Sequence, residues 1–269
     1  ILNGTSNFIF SKMADEKFSF DAALTLAQKE GFAEPDPSFD ISGQDAAQKT
    51  SILATLSFFQ NSSMENVYFE GIDKISPDDI DYGKQLNFVL KPLSVGIQNK
   101  DQISLGSFPA FVKTDSLLAS IQNENNAVLV NAENVGGTMY SGPGAGAKPT
   151  ANSVLSDVID IARGKIFDYG KFVEQNLSSS FDNFSCDRYL KLQVNDKPGV
   201  VAKISTLLAK NNLSIDNLIQ KELERSDDQI PLVIVLSNSD ETTIQETVKE
   251  LEGLDAVSYT HLRAHETSD

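Results

Sequence analysis

Residues 27–49, AQKEGFAEPDPSFDISGQDAAQK, decide how the first part of this chain folds. The stretch opens as the end of a helix predicted over residues 19–30, and Gly31 is the residue type that commonly ends a helix because it adopts a positive φ without strain. Pro35 and Pro37 fix their own φ and push the residues before them towards extended geometry, so the loop is stiff and not helical. A second helix is predicted over residues 42–59.

Asp45 and Lys49 lie four residues apart in this second helix and therefore share one of its faces. Lys49 also stands in line with Ile52, Leu53 and Leu56, so the spacing points it along the apolar stripe. A lysine that faces a core needs a carboxylate partner, and a chemical function usually keeps it there. We interpret Asp45 as that partner, with an exposed ion pair beside an acidic loop as the plainer alternative.

Further carboxylates come from the stiff loop just before the helix. Glu34, Asp36 and Asp40 lie there, close in sequence to Asp45 and Lys49. Such a cluster could bind the ammonium group of an amino-acid substrate while Lys49 transfers a proton. The stretch therefore predicts acid–base chemistry on an amino acid, unless its charges are only a solvated surface.

Outward from this stretch, the chain separates into two domains. Short alternating apolar runs over residues 86–140 predict the strands of a mixed sheet, and a further helix ends near Arg163. Residues 187–257 follow the order strand, helix, strand, strand, helix, strand, which is the ferredoxin-like βαββαβ arrangement. We predict an α/β (α+β) chain with a mixed-sheet domain and flanking helices over residues 1–176, a polar linker over 177–186 and the βαββαβ domain over 187–257.

Three loops have the composition to present backbone N–H groups to a ligand. GPGAGA at residues 142–147, with Gly144 and Gly146, precedes a predicted helix but lacks the GxGxxG spacing, so a tight turn explains it equally well. Gly4-Thr5-Ser6 fits a carboxylate-binding helix start or a plain cap. NDKPGV at residues 195–200 fits a ligand-binding loop or a plain turn from strand to helix.

The composition restricts the classes of protein. Across 269 residues, 22 Lys and Arg stand against 38 Asp and Glu, and the net charge of -16 at pH 7 argues against binding nucleic acid or an anionic membrane. The apolar runs are far shorter than the ~20 residues that a membrane helix needs. The single cysteine, Cys186, cannot form an internal disulfide, which fits a reducing compartment, and we expect it to be inert.

The two ends of the sequence are unusual. The chain opens without a methionine, and we expect a segment upstream of Ile1. Residues 258–269 show neither alternation nor a helical stripe, so we interpret them as a non-native tail and leave them out of the fold. Both histidines, His261 and His265, lie in this tail, so without it no His-dependent triad or metal site is expected. If the tail is native, their spacing of four could place them on one helix face as metal ligands.

The pattern AxxxGFAEPDPxxDIxGxDxxxK over residues 27–49 resembles the signature of homoserine dehydrogenases. Similar segments are NGTSNFI at residues 3–9, GPGAG leading to PTA at 149–151, and the following helix with Asp157. DKPGV at 196–200, LSI at 213–215 and IQKE at 219–222 are similar to ACT domains. Together the resemblances cover nearly all of residues 1–257.

The resemblance implies an enzyme that interconverts L-homoserine and L-aspartate 4-semialdehyde with NADP or NAD, on the route to threonine and methionine. Lys49 would then exchange the proton at the alcohol or aldehyde oxygen. Glu34 and Asp45 would bind the substrate, with Asp40 in support and Thr5 close by. The residues that would approach the cofactor are Gly31, Gly144 and Gly146.

The ACT resemblance implies an amino-acid effector, with L-threonine the best candidate, bound near Asp196, Gly199 and Val200. A homodimer or homotetramer in the cytoplasm is expected, with no metal. Two departures from the family are a missing Rossmann domain with its phosphate loop and Phe32 in place of a tyrosine. We therefore expect the fragment alone to be inactive. The alternatives are a non-catalytic module that senses amino acids and a purely structural oligomerisation unit.

Overall fold

The computed structural model describes residues 1–99, 102–165, 181, 184–220, 229–255 and 257–264. The chain divides into two compact units, the first made of Ile1–Pro109 with Lys113–Ser180 and the second of Ala110–Val112 with Phe181–Asp269. This division falls within the linker predicted over residues 177–186. Most of that linker lies outside the described residues, and its last two, Ser185 and Cys186, already belong to a strand of the second unit.

The first unit begins with helices and continues mainly with strands. Its helices are α1 (Gly4–Asp15), α2 (Phe20–Glu30), α3 (Ser38–Ile41), α4 (Gln44–Phe58), α5 (Pro77–Gln85) and α6 (Ala147–Ala162). Its strands are β1 (Tyr68–Phe69), β2 (Phe88–Asn99), β3 (Gln102–Lys113, of which Ala110–Val112 count with the second unit), β4 (Asn125–Ala132) and β5 (Gly136–Pro143). β3 pairs in parallel with β1 and also pairs with β2, whereas β4 and β5 form a separate antiparallel hairpin. The predicted mixed α/β class is confirmed.

The helix ends of the decisive stretch follow the sequence signals. Ser19 caps α2 by accepting a hydrogen bond from Ala22 N, and Gly31 ends it in the left-handed region with φ +82. The stiff loop then gives the short helix α3, so Asp40 lies on a helical turn of its own. α4 begins at Gln44 rather than at residue 42, because Gly43 precedes it in the left-handed region with φ +85. Only glycine fits this position without strain, since an added Cβ would lie 2.6 Å from the carbonyl oxygen of Glu70.

The orientation predicted for α4 is wrong. Its buried side chains are small ones: Ala46, Ala47, Thr50, Ser51 and Ala54. Ile52 is 59% exposed, Leu56 is 41% exposed and the side chain of Lys49 is 48% exposed, so Lys49 does not face the core. The small residues recur at helical spacing too, and a helix can approach its neighbours more closely through a face of small side chains. The spacing of the large apolar residues therefore indicated the opposite face.

Helix α5 is not among the predicted elements. Ser76 accepts a hydrogen bond from Asp79 N, the Asp79 side chain accepts one from Ser76 N, and Pro77 occupies the first helical position. This capping box is readable in the sequence as Ser-Pro-Asp-Asp. The nine residues of α5 are strongly polar, with Asp78, Asp79 and Asp81 among them, so few apolar positions mark the helical period.

The second unit has the predicted βαββαβ order. Its elements are β6 (Ser185–Asn195), α7 (Val200–Lys210), β7 (Ile215–Gln220), β8 (Gln229–Asp240), α8 (Glu241–Glu252) and β9 (Val257–Ala264). The strands lie side by side in the order β9-β6-β8-β7, and each neighbouring pair is antiparallel. A core of fully buried leucine, isoleucine and valine side chains, including Leu190, Ile234 and Ile244, packs the helices on this sheet. The ferredoxin-like arrangement is confirmed.

The exclusion of residues 258–269 from the fold is wrong for most of the segment. The backbone of β9 pairs with β6 from Val257 opposite Val194 to Arg263 opposite Arg188. β6 is a buried strand, and the backbone groups on its second side need partners that β9 supplies. Backbone pairing does not require the alternating pattern that the segment lacks. Residues 265–269, His265 among them, lie outside the described residues.

No helix within the described ranges is both long and apolar enough to cross a membrane.

Candidate active site

The centre of the candidate site is a chain of hydrogen bonds that links two carboxylates to one lysine. Lys49 Nζ donates to Asp45 Oδ2 at 2.6 Å, and Asn3 Nδ2 donates to the same oxygen at 2.8 Å. The Asn3 amide also donates to Asp40 Oδ1 at 2.7 Å. Asp40 and Asp45, which the sequence singled out, therefore meet at Asn3, and Lys49 joins them through Asp45.

Three helix ends bring these groups together. Asn3 is the N-cap of α1 and accepts a hydrogen bond from Ser6 N at 2.8 Å. Asp40 lies on α3, while Asp45 and Lys49 lie on the first turns of α4. Lys49 Nζ also donates to the carbonyl oxygen of Leu2 at 3.3 Å, which ties α4 to the segment that enters α1.

The Asp45–Lys49 ion pair contributes little to stability. The side chains are 19% and 48% exposed, and i,i+4 pairs of this kind are worth about 0.3 to 0.5 kcal/mol. Exposure leaves the lysine accessible from solvent, which a proton-exchanging group requires and a purely structural ion pair does not. The arrangement is compatible with acid–base chemistry and equally with an exposed i,i+4 ion pair.

Thr5 is positioned next to this centre, but its hydroxyl is directed elsewhere. The hydroxyl donates to the carbonyl oxygen of Phe32 at 2.6 Å, which fixes the loop after α2 against α1. The rings of Phe8 and Phe32 pack with centroids 4.8 Å apart and reinforce the same contact. Thr5 therefore holds the loop that carries Glu34.

Among the described residues, hydrogen bonds join two of the four predicted carboxylates, Asp40 and Asp45, through Asn3. Glu34 is exposed, and in this part of the chain its carboxylate makes no hydrogen bond; its backbone carbonyl accepts one from Gln28 Nε2 at 3.2 Å. Asp36 Oδ1 accepts from Ser38 N at 3.1 Å, and hydrogen bonds from the Ser38 side chain and backbone lower the pKa of Asp36. Asp36 thus caps the turn at α3, whereas Glu34 is exposed to solvent.

The three glycines predicted at the cofactor have different surroundings. At Gly144 an added Cβ would overlap the side chain of Asn126, whose amide donates to the carbonyl of Leu2 at 3.3 Å, so protein packing alone explains this glycine. At Gly31 an added Cβ would meet no described atom within 4 Å, and Gly146 precedes α6 without a side chain to cap the helix. Open space at Gly31 and free N–H groups at the start of α6 fit an anionic dinucleotide.

The predicted effector loop lies between β6 and α7 in the second unit. Asp196 and Gly199 are exposed, and Val200 is half-buried at the first position of α7. Gly199 has φ +91 and offers no side-chain cap. Val200 N donates to the carbonyl oxygen of Lys197 at 3.3 Å, so among the described residues the N–H groups of Val201 and Ala202 are the ones available to an anion. The geometry is compatible with a ligand carboxylate and equally with a plain turn.

Sequence reasoning missed the contacts that Asn3 makes with the two carboxylates. An asparagine directly before Gly-Thr-Ser is a recognisable N-cap, and the cap is present. The side-chain amide that remains after capping is the group that bridges Asp40 and Asp45, but those residues are 37 and 42 positions away. No local pattern gives such a pairing.

The fold and the site define a class: an α/β domain with a carboxylate–lysine centre followed by an ACT domain. Residues 1–159 match the homoserine dehydrogenase family, and residues 188–255 match the ACT domain. The chain belongs to the homoserine dehydrogenase family, and the resemblance seen in its motifs is confirmed.

Individual relatives agree. The chain is 39% identical over 259 residues to homoserine dehydrogenase from Helicobacter pylori, covering 96% of this chain and 61% of the relative. It is 36% identical over 269 residues to that of Pseudomonas aeruginosa, with 96% and 62% covered. Among solved structures, a homoserine dehydrogenase from Thiobacillus denitrificans superposes with a TM-score of 0.91 at 32% identity, covering 100% of this chain and 63% of that one. The chain thus spans about three fifths of the curated relatives it matches.

Proposed function

We propose that this chain carries the substrate site and the regulatory domain of an enzyme that interconverts L-homoserine and L-aspartate 4-semialdehyde. The observation that carries the proposal is the Asn3-bridged pair Asp40 and Asp45, with Lys49 hydrogen-bonded to Asp45 at 2.6 Å. One group for proton exchange and two for an ammonium group are what an amino alcohol requires.

Lys49 is the group that moves the proton. In the oxidative direction its neutral amine accepts the hydroxyl proton of homoserine while the carbon–oxygen bond becomes a carbonyl. In the reductive direction its ammonium group returns a proton to the aldehyde oxygen. A nicotinamide cofactor, NADP or NAD, supplies the acceptor or donor of the hydride, and Gly31 and the start of α6 at Gly146 would hold part of it.

The carboxylates fix the other end of the substrate. Among the described residues, Asp40 Oδ2 and Asp45 Oδ1 accept no hydrogen bond, because Asn3 and Lys49 use the other oxygens. These two oxygens are acceptors for the substrate ammonium group, and Glu34 can approach from the exposed loop. Holding the ammonium group places the hydroxyl carbon relative to Lys49, which is the positional contribution to catalysis. We expect the glycine-rich dinucleotide loop, which this sequence lacks, outside these 269 residues.

The test is Lys49→Ala in the full-length protein that contains this chain. The variant should lose at least ~100-fold in kcat for homoserine-dependent reduction of NADP or NAD, because general acid–base catalysis contributes factors of this size. The matched control is Lys12→Ala, which removes another i,i+4 ion pair, between Lys12 and Glu16 at 2.7 Å on α1. Near-wild-type turnover of Lys49→Ala, or an equal loss in Lys12→Ala, would remove Lys49 from the chemistry.

We propose L-threonine as the effector of the ACT domain, bound at the loop of Asp196, Gly199 and Val200. The N–H groups of Val201 and Ala202, at the uncapped start of α7, support a carboxylate ligand there. Threonine should inhibit the full-length protein but not a form truncated just before β6, near Ser185. Equal inhibition of both forms would place the effector site outside the ACT domain.

We also propose a homodimer or homotetramer, in the cytoplasm. Large apolar side chains stay exposed on α6 and on the β4–β5 hairpin, including Val154, Leu155, Val158, Ile161 and Tyr140. Clusters of exposed apolar side chains, such as the one on α6, are normally covered by protein. Light scattering of the full-length protein should give at least twice the monomer mass; a monomer would contradict the proposal.

A further inference from the structure

We propose that Asn3 is a positioning residue for the reaction, and that it sets the substrate's affinity by holding Asp40 and Asp45 together. This inference rests on the function proposed above. It concerns how the carboxylate pair is held, not whether Lys49 transfers the proton.

The carboxylates need such a residue because they repel each other. Asp40 and Asp45 come from different helices, α3 and α4, and Gly43 separates the two helices at a left-handed backbone position. Within the described part of the chain, Lys49 Nζ pairs with Asp45 and not with Asp40, so it neutralises one carboxylate of the two. Like charges held close are unfavourable unless donors lie between them.

Asn3 supplies those donors from a rigid position. It is 3% exposed, its Oδ1 is engaged by Ser6 N at 2.8 Å, and its Nδ2 donates to both carboxylates at 2.7 and 2.8 Å. The side chain therefore cannot rotate without losing all three hydrogen bonds. Because an amide is neutral, Asn3 orients both carboxylates without cancelling the negative charge that a substrate ammonium group needs.

The experiment separates this bridging role from helix capping. Asn, Asp and Ser are about equally good N-caps, so Asn3→Ser and Asn3→Asp both preserve the cap of α1. Asn3→Ser removes the bridging amide, and Asn3→Asp replaces it with a third carboxylate. In the full-length protein, KM for homoserine should rise about tenfold in Asn3→Ser, since each hydrogen bond to a charged group is strong. The rise should be larger in Asn3→Asp, while KM for the cofactor stays unchanged in both.

The matched control is Asn7→Ser, a second buried asparagine on α1. Asn7 Nδ2 donates to the carbonyls of Ile121, Asn123 and Asn125, so the variant should lower the melting temperature without changing KM for homoserine. The inference is overturned if Asn3→Ser keeps KM for homoserine within twofold of wild type, or if Asn7→Ser raises it as much. A wild-type protein that does not turn over homoserine would instead overturn the proposed function.

Discussion

Lys91 gives this chain a pH-dependent stability that can be measured directly. The residue is only 3% exposed, and its Nζ donates a hydrogen bond to the carbonyl oxygen of Ile121. Burial lowers the pKa of Lys91 from 10.5 to about 8, and the negative charge of Asp15 opposes the shift in part. Lys84 lines the same small pocket, and because it is itself positively charged it does not stabilise the ammonium group of Lys91.

The sign of the effect follows from which state holds the proton more tightly. The unfolded chain has the pKa of 10.5 and the folded chain that of about 8. Below pH 8 Lys91 is charged in both states, and the buried ammonium group lowers the free energy of unfolding by about 3 kcal/mol. As the pH rises through this window the folded chain releases its proton first, so the penalty disappears and stability rises.

The assay is urea unfolding of wild type and Lys91→Met at pH 7.5 and pH 10. Methionine fills the space without a charge, so the variant lacks the penalty at either pH. The free energy of unfolding of Lys91→Met should exceed that of wild type by about 2 kcal/mol less at pH 10 than at pH 7.5. A difference of this size is resolved by free energies extrapolated to zero urea. Lys84→Met is the control for an exposed lysine and should show no such change. A difference between Lys91→Met and wild type that stays constant with pH would refute the reasoning.

Two further predictions concern stability at single sites. Arg188→Met should destabilise the second unit by about 3 to 5 kcal/mol in a thermal or urea melt, because Arg188 is fully buried, lies 3.2 Å from Glu241 Oε2 and also donates to the carbonyl of Ser239. Adding Glu241→Met should recover most of the loss; no recovery would contradict an effect that comes from burying the Glu241 carboxylate without the charge of Arg188. Gly43→Ala should cost about 1 to 3 kcal/mol, since φ is +85 and the new Cβ would lie 2.6 Å from the carbonyl oxygen of Glu70. An unchanged melting temperature would show that the loop adjusts without strain.

The elements with local signals were predictable from the sequence. α2 begins after Ser19 and ends at Gly31, as predicted. The βαββαβ order of the second unit follows from periodicity and turn residues alone. A residue such as Gly31, whose type is required by the local backbone conformation, can be recognised in the sequence without knowledge of tertiary contacts.

The orientation of α4 was not predictable from apolar spacing. Ile52 and Leu56 are larger than Ala47 and Ala54, so a pattern weighted by hydrophobicity chooses the wrong face. Which face is buried depends on how closely α4 approaches its neighbours, and that distance is a tertiary property.

The candidate site was predictable as a set of residues but not as a geometry. Asp40, Asp45 and Lys49 are close in sequence, and their motif identifies the family. Their connection runs through Asn3, which is distant in sequence, whereas Glu34 from the same motif makes no hydrogen bond to them in the described part of the chain. Family resemblance identifies such residues, and only the fold shows which of them are joined.

The central claim is that Lys49 transfers the proton at the substrate oxygen, and rescue of Lys49→Ala by an added amine tests it most directly. In the full-length protein, ethylamine should raise the kcat of Lys49→Ala for homoserine oxidation at least about tenfold. A small amine can fill the space of the missing side chain and accept the proton. The rescue should grow with the fraction of neutral amine as the pH rises. A variant that turns over homoserine within threefold of wild type without any amine would contradict the claim.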